Sequence, residues 1–371
     1  MKLPDFQIER FFARYEFNTE LLLCASDCQS MSVSELCALE PGARERLSDL
    51  WLGYTESRGA PSLRGEISRL YRSITAGEVL VHAGAEEGIH LCMHAVLEPG
   101  DHVIVQSPCY QSLREIALGI GCEVSPWSMR EEDGWAPDPD ELDRLVRPST
   151  KLIVVNTPHN PTGYHLPESV LRRLCRIADE RRITLFCDEV YRGLEYHEED
   201  RIPSACDLSE RAVSLGVLSK AYGLGGLRIG WMATRDRALY ARMESLKDYT
   251  TICSSAPSEL LAEIALRHGE SIIGRNLGLI RANLSLVGDL LRRHPDLMSW
   301  QPPKAGPIAF PRLLRGTIGE LSARIAKECG VLLLPGTVYG DQENHFRIGF
   351  GRANLPQALA RLEEWLSRNR D

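Results

Sequence analysis

The sequence predicts an α/β protein whose larger part is a mostly parallel sheet covered by helices on both faces. Continuous apolar segments such as HVIVQSP (102–108) and KLIVVNTP (151–158) are typical of strands that are buried on both sides. Amphipathic segments such as ESVLRRLCRIADERR (168–182) separate such strands, as helices do in parallel sheets. These two observations predict the fold class.

The elements between residues 80 and 235 alternate in this way. GAEEGIHLCMHAVLEPG (84–100) indicates a helix that ends at Pro-Gly. The strand at 102–108, the strand at 151–158 and the helix at 168–182 follow it. Three further apolar segments predict the strands ITLFCDEVY (183–191), AVSLGVLS (212–219) and LRIGWMAT (227–234).

The pattern changes after about residue 245, where long helical segments and short strands indicate a smaller α+β unit. The predicted elements are a helical stretch at 257–294, strands at 308–313 and 345–350, and a last helix at 355–369. The first 40 or so residues are too few to fold alone. We therefore predict a large domain over residues 46–250 and a small domain formed by residues 1–45 plus 251–371.

Composition limits the class of protein. The 371 residues are 43% hydrophobic, which is enough for more than one core. The net charge of −8 argues against a nucleic-acid partner. No apolar run approaches the roughly 18 residues of a membrane span, and charges throughout the first segment argue against a secretory signal. We expect a cytoplasmic protein whose 11 cysteines are reduced thiols.

Metal binding is not expected. Cys24 and Cys28 form a close pair, but no second pair completes a zinc site. Glu86, His90 and His94 share one face of the predicted helix, yet HLCMH lacks the internal glutamate of HExxH. Ordinary packed or solvated side chains explain these residues better.

The chemistry-bearing residues follow the predicted strands. Ligands of such sheets bind beyond the carboxyl ends of the strands. One edge of the sheet therefore receives residues from five separate segments, namely Ala85 and Glu86 at a helix start, Tyr110, Asn160, Asp188 with Tyr191, and Ser219 with Lys220.

Several of these residues suit one part of a ligand each. Lys220 can form a Schiff base with an aldehyde. The helix start at residues 84–86, together with Arg228, suits a phosphate. Tyr110 suits the face of a flat aromatic ring.

The other groups suit the edge of a pyridine ring. The carboxylate of Asp188 can keep a ring nitrogen protonated, and Asn160 with Tyr191 can bind a ring hydroxyl. These requirements together belong to pyridoxal 5′-phosphate. Each residue alone has an ordinary structural explanation, so the prediction depends on their joint order and their positions at strand ends.

These motifs resemble the class I/II aminotransferase family, which comprises fold-type I enzymes that use pyridoxal phosphate. The resemblance covers most of the chain and runs in the family's order. The matching segments are WLGYTESRGAPSLRGEIS (51–68), GAEEG (84–88), PCY (108–110), NPTG (160–163), DEVY (188–191), SKAYGLGGLRIGW (219–231) and FRIGFGR (346–352).

The resemblance implies two further roles, and the chain departs from the family pattern at one position. It implies a homodimer in which Tyr54 reaches the phosphate of the neighbouring subunit. It implies that Arg347, with Asn160, binds the substrate α-carboxylate, although Arg352 is a rival for that role. Many family members carry Ser or Thr three positions before the lysine, where this chain has Val217. We expect Ser219 to replace that hydroxyl.

The expected function is transfer of the amino group of an L-α-amino acid to a 2-oxo acid, with Lys220 as general base. A pyridoxal-phosphate lyase or cyclase shares the first steps and remains an alternative. The segments 24–32 and 247–257 are candidates for the side-chain pocket, but neither indicates a charged substrate.

Two alternatives from other classes are weaker. A non-catalytic regulator on this fold would need an added DNA-binding segment, for which there is no room before residue 40. A nicotinamide-dependent dehydrogenase would need G-x-G-x-x-G after an early strand, where this chain has SPCY. Replacing Lys220 with Ala separates these hypotheses, because only an enzyme of the predicted class would lose its function.

Overall fold

A seven-stranded sheet forms the centre of the computed structural model, which describes residues 2–341 and 343–369. The strands, in chain order, are β1 (Leu21–Leu22), β2 (Val79–His82), β3 (His102–Ser107), β4 (Glu123–Ser128), β5 (Thr150–Asn156), β6 (Thr184–Asp188), β7 (Ala212–Val217), β8 (Gly230–Ala233), β9 (Met298–Ser299), β10 (Ile308–Ala309), β11 (Arg312–Leu313), β12 (Val331–Leu332), β13 (Leu334–Pro335) and β14 (Phe346–Gly349).

Helices surround this sheet and form much of the C-terminal part of the chain. They are α1 (Gln7–Tyr15), α2 (Val33–Cys37), α3 (Ala43–Ser48), α4 (Pro61–Ser68), α5 (Gly84–Val96), α6 (Ser112–Ile120), α7 (Pro139–Leu145), α8 (Glu168–Arg181), α9 (Ala205–Leu208), α10 (Arg237–Lys247), α11 (Ala256–Arg267), α12 (Gly269–Arg293), α13 (Ile318–Cys329) and α14 (Leu355–Arg368). Among the described residues, no helix is both long and apolar enough to cross a membrane.

The central sheet is mostly parallel, as predicted. Its strand order is β2-β8-β7-β6-β5-β3-β4, and β8 alone runs antiparallel to its neighbours β2 and β7. In the register of the parallel strands, Asn156 at the end of β5 pairs with Asp188 at the end of β6. The carboxyl ends of β5, β6 and β7 therefore meet at one edge of the sheet.

Both faces of the sheet are buried, which explains the continuous apolar segments. Alternate residues of the central strands β3, β5 and β6 belong to different core clusters. Ile104, Ile153 and Leu185 pack on the side of α8, while Val103 and Phe186 pack into the larger cluster on the other side. Successive side chains of such a strand point to opposite faces of the sheet, and both faces are apolar. No polar residue therefore interrupts the apolar segment in the sequence.

Several elements are shorter than the sequence predicted, for local reasons. Strand β6 ends at Asp188 because the carboxylate Oδ1 accepts a hydrogen bond from the backbone N–H of Val190, which turns the chain. The helical stretch 257–294 is broken at His268 into α11 and α12. Strand β8 begins only at Gly230, because Gly225–Leu227 forms a 3₁₀ turn.

The two edge strands of the sheet, β2 and β4, were not predicted. β2 has only four residues, too few to establish a period. β4 is largely exposed or half-buried along its length, so its sequence EVSPWS lacks the apolar run of the central strands. Edge strands have one unpaired side and tolerate Pro and polar residues.

The remaining strands form small sheets near the carboxyl edge. β10, β14 and β13 form an antiparallel sheet, and β1 pairs in parallel with β12. The second pairing places residues 21–22 beside the C-terminal part of the chain. The boundaries of the two predicted domains stay a prediction.

Candidate active site

A cavity of about 610 Å³ lies at the carboxyl edge of the central sheet. It brings together all but one of the residues that the sequence singled out as site residues. The predicted residues that line it are Ala85, Glu86, Tyr110, Asn160, Asp188, Tyr191, Ser219, Lys220, Arg228 and Arg347. Tyr54 is the exception, since its side chain is 88% exposed on the surface of this chain.

Lys220 lies just beyond the end of β7, where the chain turns away from the sheet. Its Nζ donates a hydrogen bond of 2.9 Å to Oγ of Ser26 and lies 5.9 Å from the ring centre of Tyr191. Burial lowers the pKa of Lys220, and the nearby Arg347 acts in the same direction, while Asp27 opposes the shift. A lysine with a lowered pKa is a better nucleophile and base near neutral pH.

Asp188 is a buried acid at the end of β6, only 5% exposed. Burial raises its pKa to about 7, against the stabilising hydrogen bond from Val190 and the charge of Lys220. Burial disfavours the charged form of such a carboxylate, unless a cation or a hydrogen-bond donor lies beside it. The site therefore suits a ligand with a protonated ring nitrogen.

The start of α5 and Arg228 form a cradle for an anion. Gly84 has a left-handed φ of +71°, and a Cβ at this position would collide with the guanidinium of Arg228. Arg228 is itself left-handed, with φ +53°, and its Nη1 donates to the carbonyl of Gly225 at 3.1 Å. The missing side chain lets the guanidinium lie against the helix N-terminus, where backbone N–H groups favour an anion.

Val217 and Ser219 both line the cavity near this cradle, and of the two only Ser219 carries a hydroxyl. Val217, at the position where many family members have Ser or Thr, is buried and lines the cavity. Ser219 also lines the cavity, and its hydroxyl makes no hydrogen bond to another described residue. Ser219 is therefore available to a ligand oxygen.

Arg347 is held rigidly although it is only 2% exposed. Its Nε donates to the carbonyl of Cys24 at 3.0 Å, and its Nη1 donates to Oδ1 of Asn160 at 3.2 Å and to the hydroxyl of Tyr339 at 2.6 Å. Tyr339 in turn donates to Oδ1 of Asn160 at 3.0 Å. Nη2 has no partner in the described parts of the chain, which leaves it for a ligand carboxylate.

Arg352 also lines the cavity, but its charge is engaged. Its Nε and Nη2 donate to the two carboxylate oxygens of Asp27 at 2.8 and 2.9 Å. This paired geometry is the strong bidentate form of an arginine–carboxylate contact. Of the two arginines in FRIGFGR, Arg347 is thus the one whose guanidinium is not paired with a carboxylate of a described residue.

The two segments that the sequence offered for the side-chain pocket have different outcomes, and one supporting residue, Tyr339, was not predicted. Ser26 and Asp27 belong to the candidate segment 24–32, whereas 247–257 does not line this cavity. Thr250 and Thr251 instead line a neighbouring cavity of about 350 Å³. Tyr339 had no local signal, because nothing in GTVYG distinguishes a tyrosine that supports an arginine.

The considered metal ligands do not form a site. Within residues 2–341 and 343–369 no cluster of three His, Cys, Asp or Glu side chains is arranged to hold a metal ion. Cys24 and Cys28 are buried free thiols, and burial raises the pKa of each to about 12. Such thiols are poor metal ligands and poor nucleophiles.

The parallel sheet with this cavity at its carboxyl edge is that of a fold-type I enzyme, whose cofactor is pyridoxal 5′-phosphate. Residues 19–362 match the family model described as aminotransferase class I and II, and the chain belongs to that family. This confirms the resemblance, the fold class and the cofactor that the sequence predicted.

Three relatives span nearly the whole chain. Capreomycidine synthase of Streptomyces vinaceus is 32% identical over 370 residues, which are 98% of this chain and 94% of the relative. A pyridoxal-phosphate-dependent aminotransferase from Streptococcus suis is 31% identical, with a TM-score of 0.93 and 99% of both chains covered. The pyridoxal-phosphate-dependent cyclase OrfR is 30% identical, with a TM-score of 0.90, covering 100% of this chain and 99% of its own.

Proposed function

We propose that this protein is an aminotransferase that moves the amino group of an L-α-amino acid to a 2-oxo acid. The observation that carries the proposal is that Lys220, Asp188 and Arg347 line one cavity. These three side chains supply a base, a partner for a ring nitrogen and a carboxylate-binding group. Membership of the aminotransferase family supports the same reaction class.

The residues of the cavity fit pyridoxal phosphate. The phosphate would lie against the start of α5, the ring nitrogen against Asp188, and the ring face against Tyr110. The residues that would hold the cofactor are Ala85, Glu86, Tyr110, Asn160, Asp188, Tyr191, Ser219, Lys220 and Arg228. When bound, the cofactor supplies an electron-withdrawing ring that stabilises negative charge at the substrate Cα.

Arg347 would bind the substrate α-carboxylate and orient the molecule. Its guanidinium is fixed by Cys24, Asn160 and Tyr339, so little side-chain entropy is lost when the carboxylate arrives. A two-point contact also fixes the direction of the bonds around Cα. This positioning selects which bond of Cα is broken.

Lys220 would move the proton of Cα. Burial lowers its pKa, so a larger fraction of its amine is neutral than in an exposed lysine. Ser26 accepts a hydrogen bond from Nζ and fixes the direction in which the amine points. Lys220 thus combines the roles of covalent attachment point and general base.

We further propose a homodimer with shared sites. Trp51, Leu52 and Tyr54 form an exposed apolar surface, with exposed fractions of 78%, 77% and 88%. Large apolar side chains exposed in one segment are typical of a protein–protein contact. In the proposed dimer this surface is covered by a second copy, and Tyr54 reaches the phosphate of the neighbouring site.

A second candidate reaction is a cyclisation of an amino acid. Two relatives that cover nearly the whole chain are a capreomycidine synthase and a cyclase, at 32% and 30% identity. A cyclase would use the same lysine and the same carboxylate contact. The difference lies in what happens to the substrate side chain after the Cα proton has been removed.

Stoichiometry separates the two reactions. The cofactor-loaded enzyme is mixed with one amino acid at a time, without a 2-oxo acid. A transaminase forms one product molecule per site and then stops, because its cofactor keeps the amino group, and its visible absorbance band disappears. A cyclase or lyase continues beyond one turnover and retains the band, and a lyase that releases the amino group also produces ammonia. Continued turnover without an acceptor would overturn the aminotransferase proposal.

A further inference from the structure

A second cavity, of about 800 Å³, lies next to the contacts that hold Arg347, and both Tyr339 and His345 line it. Tyr339 is the residue whose hydroxyl contacts Arg347 and Asn160. His345 is only 1% exposed, lies two positions before Arg347 in the chain and does not line the active-site cavity. A buried titratable group therefore lies behind the carboxylate-binding arginine.

His345 is held between two carboxylates. Its Nδ1 lies 3.0 Å from Oδ1 of Asp341, and its Nε2 lies 3.1 Å from Oε2 of Glu131. Its backbone N–H also donates to Oδ2 of Asp341 at 2.9 Å. Only the protonated ring, the imidazolium, can donate from both nitrogens at once. Burial lowers the pKa of His345, but the hydrogen bonds and charges of Asp341 and Glu131 outweigh burial and raise this pKa above the usual 6.5.

The charged groups around the ring favour the imidazolium. The side chains of Asp341 and Glu131 are only 11% and 15% exposed, so water screens their charges weakly. Arg312 opposes them from β11, since its Nη1 lies 3.8 Å from Oε2 of Glu131, but its side chain is 43% exposed. The other charged residues that line this cavity are exposed, namely Arg130, Glu132 and Glu343.

Aromatic packing and a backbone hydrogen bond connect this ring to Tyr339. The imidazole stacks on Phe310 with the ring centres 5.0 Å apart, and Phe310 meets the ring of Tyr339 edge-on at 5.8 Å. The 3₁₀ turn Gly336–Tyr339 also contacts His345 directly, because the backbone N–H of Gly336 donates to the His345 carbonyl at 2.7 Å. A Cβ at Gly336 would lie 2.6 Å from that carbonyl oxygen, so this close approach requires glycine.

We propose that His345 is a positioning residue for Arg347 and acts through Tyr339. The inference rests on the proposed function, in which Arg347 binds the substrate α-carboxylate. While the ring is protonated, both carboxylates have a donor, and the 3₁₀ turn is held where the phenol of Tyr339 meets the guanidinium. Loss of the proton leaves one carboxylate facing a lone pair of the ring, which is repulsive in a partly desolvated place. The turn then loosens, and Arg347 loses part of its support.

The test measures binding of a carboxylate to the cofactor-loaded enzyme by calorimetry at pH 6. The probe is 4-methylpentanoate, which has no amino group, and its amide reports binding that does not depend on the charge. H345Q should weaken binding of the carboxylate about three- to tenfold, and binding of the amide less than about twofold. E131Q and D341N, which keep the ring, should each weaken binding of the carboxylate about two- to fivefold.

A double-mutant cycle tests whether His345 acts through Arg347. If it does, the two substitutions are not additive. R347K should itself weaken binding of the carboxylate, because a lysine cannot keep the forked contacts of the guanidinium. In the R347K background, H345Q should therefore change the dissociation constant less than about twofold.

The control is a second buried histidine that lies far from the cavity. His102, at the start of β3, contacts Oγ1 of Thr150 at 2.7 Å and Oγ of Ser125 at 2.9 Å through its two ring nitrogens. H102Q therefore makes the same chemical change in a buried place. It should leave binding of the carboxylate unchanged. An effect as large as that of H345Q would mean that the loss is general structural damage.

The dependence on pH gives a readout that damage alone would not move. The contribution of His345 is complete while the ring is protonated, and it is lost as pH rises through the raised pKa. The ratio of the H345Q and wild-type dissociation constants should therefore be largest near pH 6 and fall below about twofold by pH 9.5. Titration of Lys220 affects both proteins and cancels in this ratio.

The outcomes separate this inference from the proposed function. The positioning role is overturned by an H345Q constant within twofold of wild type, by an equal effect of H345Q with and without Arg347, or by a ratio that does not change with pH. If H345Q does not fold, E131Q and D341N replace it in the cycle. Failure of R347K to weaken binding of the carboxylate would overturn the role of Arg347 and this inference with it. Absence of a visible cofactor band would overturn the proposed function itself.

Discussion

Nζ of Lys220 donates a hydrogen bond of 2.9 Å to Oγ of Ser26, across 194 positions of sequence. The contact joins the strand-end lysine to the segment between β1 and α2. It holds the amine in one direction over the cavity while burial lowers its pKa. A base that is already oriented needs less rearrangement before proton transfer.

Replacing Ser26 with Ala tests the importance of this contact. We expect the turnover number to fall about three- to tenfold, the range for loss of one hydrogen bond, with cofactor binding unchanged. Steady-state kinetics and the visible absorbance of the loaded variant measure the two effects. S26T, which keeps a hydroxyl, should retain more activity than S26A. Equal turnover of S26A and wild type would mean that Lys220 needs no such support.

The two arginines of FRIGFGR provide a matched pair of substitutions. R347K should lower kcat/KM about 30- to 100-fold, because a lysine cannot make the two-point contact with the α-carboxylate. R352K should have a several-fold smaller effect with the same amino acid, because Arg352 is engaged with Asp27. Initial rates over a range of amino acid concentration give both numbers. The reverse order would assign the α-carboxylate to Arg352.

Asp188 makes the stability of the cofactor-free protein depend on pH. Its pKa is raised by burial from 3.8 to about 7, so the folded protein binds this proton more tightly than the unfolded chain. The contribution of this proton to the free energy of unfolding is therefore complete below about pH 4, and it is lost as pH rises through 7. D188N should remove a slope of up to about 1.4 kcal/mol per pH unit in the free energy of unfolding between these values.

Urea unfolding at pH 5.5, 6.5 and 7.5 measures that slope for wild type and D188N. Cofactor-loaded wild type should show a smaller slope than the cofactor-free form, because a positive ring nitrogen would favour the charged carboxylate. E270Q, which removes an exposed carboxylate in the first turn of α12, serves as the control for removal of a charge. Identical slopes for wild type and D188N in the cofactor-free state would show that Asp188 does not titrate in this range.

The shared-site dimer makes a prediction about mixed subunits. Y54A and K220A should each have low activity alone. In a mixed dimer, one site has an intact Lys220 and an intact Tyr54 from the neighbouring subunit, so activity should reappear. After complete subunit exchange in an equal mixture, random pairing gives about one quarter of wild-type activity. Activity that stays at the sum of the separate variants would mean that Tyr54 serves no neighbouring site.

The sequence could predict those site residues whose positions follow from the residues next to them in the chain. Lys220, Asp188 and Asn160 follow apolar strands directly, so their positions at the sheet edge follow from the strand pattern. Gly84 and Arg228 belong to turns with recognisable composition. The structure brings Lys220, Asp188, Asn160 and Arg228 to one cavity, and Gly84 lies against the guanidinium of Arg228.

Contacts between distant segments could not be predicted in this way. Ser26 reaches Lys220, and Tyr339 supports Arg347, without any local pattern that marks them. Nor could FRIGFGR show which arginine is paired with a carboxylate, since Asp27, the partner of Arg352, lies 325 positions away.

The most direct test of the account is to locate the cofactor on the chain. The loaded protein is reduced with borohydride, which converts a Schiff base into a stable secondary amine, and its peptides are then analysed by mass spectrometry. The account predicts one pyridoxyl group per chain, carried by Lys220, and none on K220A. Attachment to another lysine, or no attachment in wild type that shows the visible band, would contradict the central role of Lys220.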